Sequence, residues 1–291
     1  MTSRIVESRS QSRLTAMLLL PSTLWFLLLL VMPFIVVLIF SFGERAPAGG
    51  YEFAFTFEQY LNLPARLTAF TNTLTIAPLG TLLCILVAYP LAYYLALRAG
   101  AKVKLMLLVL VIVPFWTSFL IRTYAWIYIL GGQGLPQLLE LFGLEDVRLI
   151  YTPTAVLIGI VYGYMPLMVF PVYVSLEKLD KRLIEASNDL GATPVRTFFQ
   201  VTLPLSAPGL VTGSLLVFIL VMGEFLIPAL LGGGKVFFVG NALVDLFLQS
   251  RNWPYGSAVA IALCIIMLIA VSLYLAAVGR DRTKRDDMSL V

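Results

Sequence analysis

Six long, mostly apolar stretches are spaced along the chain, separated by short segments that hold nearly all of its charge. They run from Met17 to Phe42, Thr68 to Leu97, Leu105 to Leu130, Tyr151 to Leu176, Pro208 to Leu231 and Ser257 to Gly279. A helix that crosses about 30 Å of hydrocarbon at about 1.5 Å per residue needs about 20 such residues, so each stretch predicts one spanning helix. The fourth is the weakest prediction, because Gly159, Gly163, Pro166 and Pro171 interrupt it. The first follows Arg4, Arg9 and Arg13, as a signal peptide would. It exceeds an h-region of roughly 7 to 15 residues, however, and reads as an uncleaved span.

The polar segments set the orientation. With the N-terminus inside, five of the 20 basic residues fall on the outer side (Arg45, Arg66, Arg148, Lys235 and Arg251) and Arg122 falls within a span. All the others lie on the inner side, and that bias predicts cytoplasmic termini. An even number of spans agrees. The expected organisation is a cytoplasmic tail at 1–16, one transmembrane domain at 17–279 with a cytoplasmic loop at 177–207, and a cytoplasmic tail at 280–291.

Composition narrows the chemistry. The chain is 60% hydrophobic and 12% charged, against roughly 25% charged for a soluble domain, and its mean hydropathy is +0.93. Lipid is its expected surrounding, in an all-α integral membrane fold. His is absent, and Cys84 and Cys264 lie within apolar runs. This argues against the usual zinc sites, Cys-His nucleophiles and disulfide frameworks. The net charge of +4 follows the topology and predicts no nucleic-acid partner.

The inner loop between the fourth and fifth stretches has strong local signals. Lys178 to Leu190 are good helix formers, and Gly191 supplies the left-handed position at which helices end. Thr193 is suited to cap a second helix with Pro194 at its first position, and Pro204 and Pro208 are expected to close that helix before the next span. On composition alone this elbow is an amphipathic connector. The spacing says more: Glu185-Ala186-Ser187 is followed after three residues by Gly191-Ala192, and the series ends in Val201, Leu203 and Pro204.

That pattern resembles the EAA loop of binding-protein-dependent ABC importers, E-A-A-x3-G-x9-I-x-L-P, with Ser187 and Val201 as conservative departures. The resemblance implies the type I ABC importer permease fold, with Glu185, Ala186, Ser187, Gly191, Ala192 and Pro204 seated in a cleft of a separate ATPase. No GxxxxGK[ST] sequence is present, and Gly232-Gly233-Gly234-Lys235 has the wrong spacing. ATP and Mg are therefore expected on the partner, with no cofactor in this chain. Val113 to Trp126, Tyr162 to Pro171, Leu176 to Asp180, Gly223 to Pro228 and Arg251 to Pro254 further resemble the permeases of polyamine importers, closest to the putrescine-type first permease. Such a complex implies a second, homologous permease, two ATPase copies and a periplasmic substrate-binding protein, in a bacterial cytoplasmic membrane.

Ionisable groups inside a span are candidates for function, because burying one costs at least about 2.5 to 3.5 kcal/mol on insertion scales. Glu224 lies about 16 residues into the fifth stretch and Arg122 about 17 into the third, at similar depths by helical rise. Two readings stay open: an Arg122–Glu224 pair that locks two spans, or Glu224 as countercharge to a passing ammonium. For the latter, Tyr124, Trp126, Tyr162, Tyr164 and Phe225 are candidate cation-π surfaces. Another small solute, such as an amino-acid derivative or an inorganic anion, is the alternative cargo. A secondary transporter is usually longer, with an internal repeat, and needs no such elbow.

Overall fold

The computed structural model describes residues 17–288, with side chains through Val278. The expected tail 1–16 and the last residues of the tail 280–291 lie outside the described residues. Among the helices are α1 (Met17–Phe40), α2 (Leu63–Arg98), α3 (Ala101–Trp116), α4 (Phe119–Leu130), α5 (Pro153–Glu177), α6 (Lys181–Asp189), α7 (Pro194–Met222), α8 (Leu226–Leu231), α9 (Val239–Gln249) and α10 (Trp253–Met288). Five of them are long and apolar enough to cross a membrane, and α3 with α4 make a sixth, bent candidate.

Contacts divide the chain into two compact units. One holds the described residues up to Pro64 together with Asp245–Cys264. Within it, the segment after α1 gathers Phe42, Phe55, Phe57 and Tyr60 into a ring cluster, and Gln59 Nε2 donates to the Gly43 carbonyl at 3.2 Å. The other holds Ala65–Val244 and the described residues from Ile265 onward. Its centre is α5, packed against α2 and α7, which also touch each other.

The fourth stretch, expected to be the most fragile, forms the continuous helix α5, and half of its apolar window is buried. Its small residues explain the close packing. A Cβ on Gly159 would lie 2.6 Å from Leu231, and one on Gly209 of α7 would lie 2.3 Å from the Pro171 carbonyl oxygen. Helices in lipid associate by close approach at such positions, and neighbours packed on both sides hold a proline-bearing helix together.

The third stretch is corrected. Leu105 to Leu130 is not one helix: Ala101–Trp116 and Phe119–Glu140 meet at a bend of 98°. Pro114 opens a 3-10 turn, and the Thr117 amide and hydroxyl both donate to its carbonyl, at 3.2 and 2.7 Å. Thr117 and Ser118 are then extended, with ψ of 152° and 131°. The turn satisfies its own carbonyl and so has no need to continue as helix.

The fifth stretch is corrected at both ends. Pro204 and Pro208 do not close a separate loop helix, since α7 runs unbroken from Pro194 to Met222. A π turn at Phe198–Thr202 slips the hydrogen-bond register just before Pro204, where the proline has no donor to offer. At the far end the helix stops at Met222, and α8 resumes at Leu226. Glu224 therefore lies in a break between helices rather than inside one.

Candidate functional site: the elbow and the helix break

The elbow forms from local capping. The Asp180 carboxylate accepts from the Arg182 amide at 3.0 Å and starts α6. At its end, Gly191 has φ of +80°. The Gly191 amide donates to Asn188 at 2.9 Å and the Ala192 amide to Ser187 at 3.1 Å. That is the paired hydrogen-bond pattern of a Schellman stop, which needs the left-handed residue that glycine supplies at least cost. Thr193 then caps α7, its hydroxyl accepting from the Arg196 amide at 3.3 Å with Pro194 in the first turn.

A side-chain tie fixes the angle between the two arms. Ser187 Oγ and Thr197 Oγ1 are 3.0 Å apart, and Thr197 also donates to Asn188 Oδ1 at 3.3 Å. Ser187 is thus a strut of the elbow as well as a small residue. Glu185, Ala186 and Gly191 are exposed, Ala192 and Pro204 half-buried. Around them stand Leu183, Leu190, Val195 and Phe199, all exposed, with Leu190 at 88%. Pro204 is the outlier of the predicted set, since it belongs to the shaft of α7 beyond the bend.

Glu224 is held far more tightly than a free countercharge. Its Oε1 accepts from the amides of Phe225, Leu226 and Ile227 at 2.9, 2.7 and 3.3 Å. Its Oε2 accepts from the Tyr164 hydroxyl, and the residue is 6% exposed. The carboxylate supplies the acceptors that the first turn of α8 lacks. The returning segment is anchored in the same way. Thr73 Oγ1 accepts from the Val239 amide at 2.9 Å, Asn72 Nδ2 donates to the Phe237 carbonyl at 3.1 Å, and Asn241 Nδ2 donates to the Phe225 carbonyl at 2.7 Å. Irregular backbone at membrane depth survives only where protein groups satisfy it. Asn72, Thr73 and Asn241 escaped the sequence reading; their signal was the presence of amides and hydroxyls in otherwise apolar stretches.

The Arg122–Glu224 pair is not formed. The Arg122 guanidinium lies 5.2 Å from the Phe115 ring and 5.5 Å from the Phe119 ring, one on each side of the bend. Its Nε is buried without a hydrogen-bond partner. The aromatic candidates separate into groups. Trp126 and Tyr162 meet edge to face at 5.4 Å and, with Arg122, line a cavity of about 10 Å³, room for roughly one water. Tyr164 stacks obliquely with Phe119 at 6.1 Å and serves Glu224. Phe225 is exposed beside the break, and Tyr124 is exposed on α4 without joining either group.

Comparison with known proteins places this architecture. The family model for "Binding-protein-dependent transport system inner membrane component" matches residues 88–285. The spermidine/putrescine transport system permease protein PotB of Haemophilus influenzae is 41% identical over 255 residues, covering 86% of this chain and 89% of that one. PotB of Escherichia coli is 40% identical over 255 residues, covering 86% and 92%. Among solved structures, a bacterial alginate ABC transporter in complex with an alginate pentasaccharide-bound periplasmic protein aligns with a TM-score of 0.73 at 18% identity, covering 95% of this chain and 98% of that one. That last likeness concerns the fold, and the first three concern descent: the chain belongs to the family of inner membrane components of binding-protein-dependent transport systems.

Proposed function

We propose that this chain forms one half of the membrane pathway of an ATP-driven importer for a small polyamine such as putrescine or spermidine. The carrying observation is the elbow. It is a short helix capped at both ends and a long one capped at its start, tied by Ser187 and Thr197, and presenting exposed Leu183, Leu190, Val195 and Phe199 beside Glu185. A soluble face of this kind suits a cleft in another protein. Because α6 follows α5 directly and α7 leads out of it, a partner that moves the elbow moves two packed helices as rigid bodies. The partner in this reading is a pair of ATPase subunits that bind ATP and Mg, with the elbow facing the cytoplasm as the basic residues require.

A second, homologous permease would complete the pathway, and a periplasmic binding protein would deliver the solute. The polyamine assignment draws on the similarity to spermidine/putrescine permeases, not on Glu224, whose oxygens are already taken by four donors. Of the proposed pathway surfaces, Tyr162 and Phe225 remain the best candidates, since both are exposed aromatics next to the bend and the break.

Leu190→Glu tests the reading, because a side chain 88% exposed leaves the fold unaffected when replaced. The variant is expected to insert normally, to lose the co-purifying ATPase and to take up no putrescine in vesicles. Retention of the ATPase with undiminished uptake would reduce the elbow to a connector.

A further inference from the structure

Lys104 and Glu177 form an ion pair that the elbow reading does not use. Lys104 Nζ lies 2.9 Å from Oε1 and 3.0 Å from Oε2 of Glu177, and 5.9 Å from the centre of the Tyr173 ring. Lys104 stands near the start of α3, and Glu177 is the last residue of α5, just before Asp180 caps the elbow helix α6. Each charge occupies the helix end that its own helix disfavours. A cation near the N-terminus of α3 and a carboxylate at the C-terminus of α5 both oppose the local macrodipole. Neither helix alone selects them, and each relieves the other.

The pair links the helix that enters the elbow to the first arm of the bent span. From α3 the chain passes through the bend to α4, and α4 packs against α8, the helix that Glu224 caps. We infer that Lys104 and Glu177 are positioning residues that carry elbow movement from α5 to α3, so that the bent span moves together with the coupling elbow. This rests on the proposed ATPase docking. The side chains are 24% and 43% exposed, and so exposed a pair adds little to folding stability. Its loss therefore reports on movement.

The test uses the assembled complex, with both permeases, the ATPase and the binding protein, in lipid vesicles. Lys104→Gln and Glu177→Gln each remove the pair without adding repulsion, and the exchange Lys104→Glu with Glu177→Lys rebuilds it in the orientation that both macrodipoles favour. Each single variant is expected to keep the ATPase bound while solute imported per ATP hydrolysed falls about two- to fivefold, the range open to an exposed ion pair. The exchange is expected to recover at least about half of that loss. An unchanged ratio in the single variants, or failure of the exchange to recover it, overturns the inference. So does loss of the ATPase from either single variant, which would make the pair part of docking. Failure of the docking reading itself shows separately, as retention of the ATPase by Leu190→Glu.

Discussion

At the scale of single residues, Glu224 and Arg122 each find partners other than one another. Glu224 is a cap whose carboxylate holds three amides of the α8 start and the Tyr164 hydroxyl. Glu224→Ala leaves those donors without an acceptor and is expected to destabilise the protein by about 1–3 kcal/mol. Glu224→Gln keeps an acceptor oxygen and should retain most of both stability and uptake. Thermal unfolding in detergent alongside vesicle uptake distinguishes them, and a Gln variant as unstable as the Ala variant would contradict the cap. Arg122 gains from two rings and loses through its unpaired Nε. A cation-π gain of about 0.5–2 kcal/mol and an unsatisfied buried donor costing about 1–3 kcal/mol roughly offset each other. Arg122→Met is therefore expected to fold as stably as the wild type, to within about 1 kcal/mol in the same unfolding assay. A marked drop in stability would show that the ring contacts dominate.

At the scale of elements, two glycines resist replacement for different physical reasons. Gly209 has an ordinary backbone, but a Cβ there would meet the Pro171 carbonyl oxygen at 2.3 Å. Gly209→Ala should push α5 from α7 and cost about 1–3 kcal/mol, as overpacking does. Gly191 has nothing within 4 Å of a built Cβ, yet its φ is +80°. The cost there is conformational, about 1–2 kcal/mol for a residue forced into the left-handed region and less for Asn than for Val. Gly191→Val should accordingly loosen the elbow and weaken ATPase co-purification, while Gly191→Asn largely spares it. Equal effects of the two would show that chain conformation at Gly191 is not what sets the elbow.

At the scale of the whole molecule, membership in the transport family, the five apolar helices and one bent pair among the described residues, and a two-armed elbow agree with one another. The chain expressed alone is expected to insert without catalysing ATP-dependent uptake, and addition of the ATPase, second permease and binding protein should restore uptake. Putrescine uptake by the chain alone would favour a secondary transporter. Much of this was legible in the sequence. The apolar runs, the cap at Thr193 and the stop at Gly191 depend on neighbours a few residues away, so local order specifies the spans and most of the elbow, although its first helix starts at Lys181 after the Asp180 cap and not at Lys178. Tertiary structure decided what local order leaves open. The fourth stretch stays whole despite Pro166 and Pro171 because α2 and α7 enclose it, whereas the third breaks for a local reason, the Pro114 turn that Thr117 completes three residues on. Glu224 caps its own neighbours, but its second oxygen is satisfied only because folding brings Tyr164 to it from 60 residues away, a proximity that no spacing along the chain encodes.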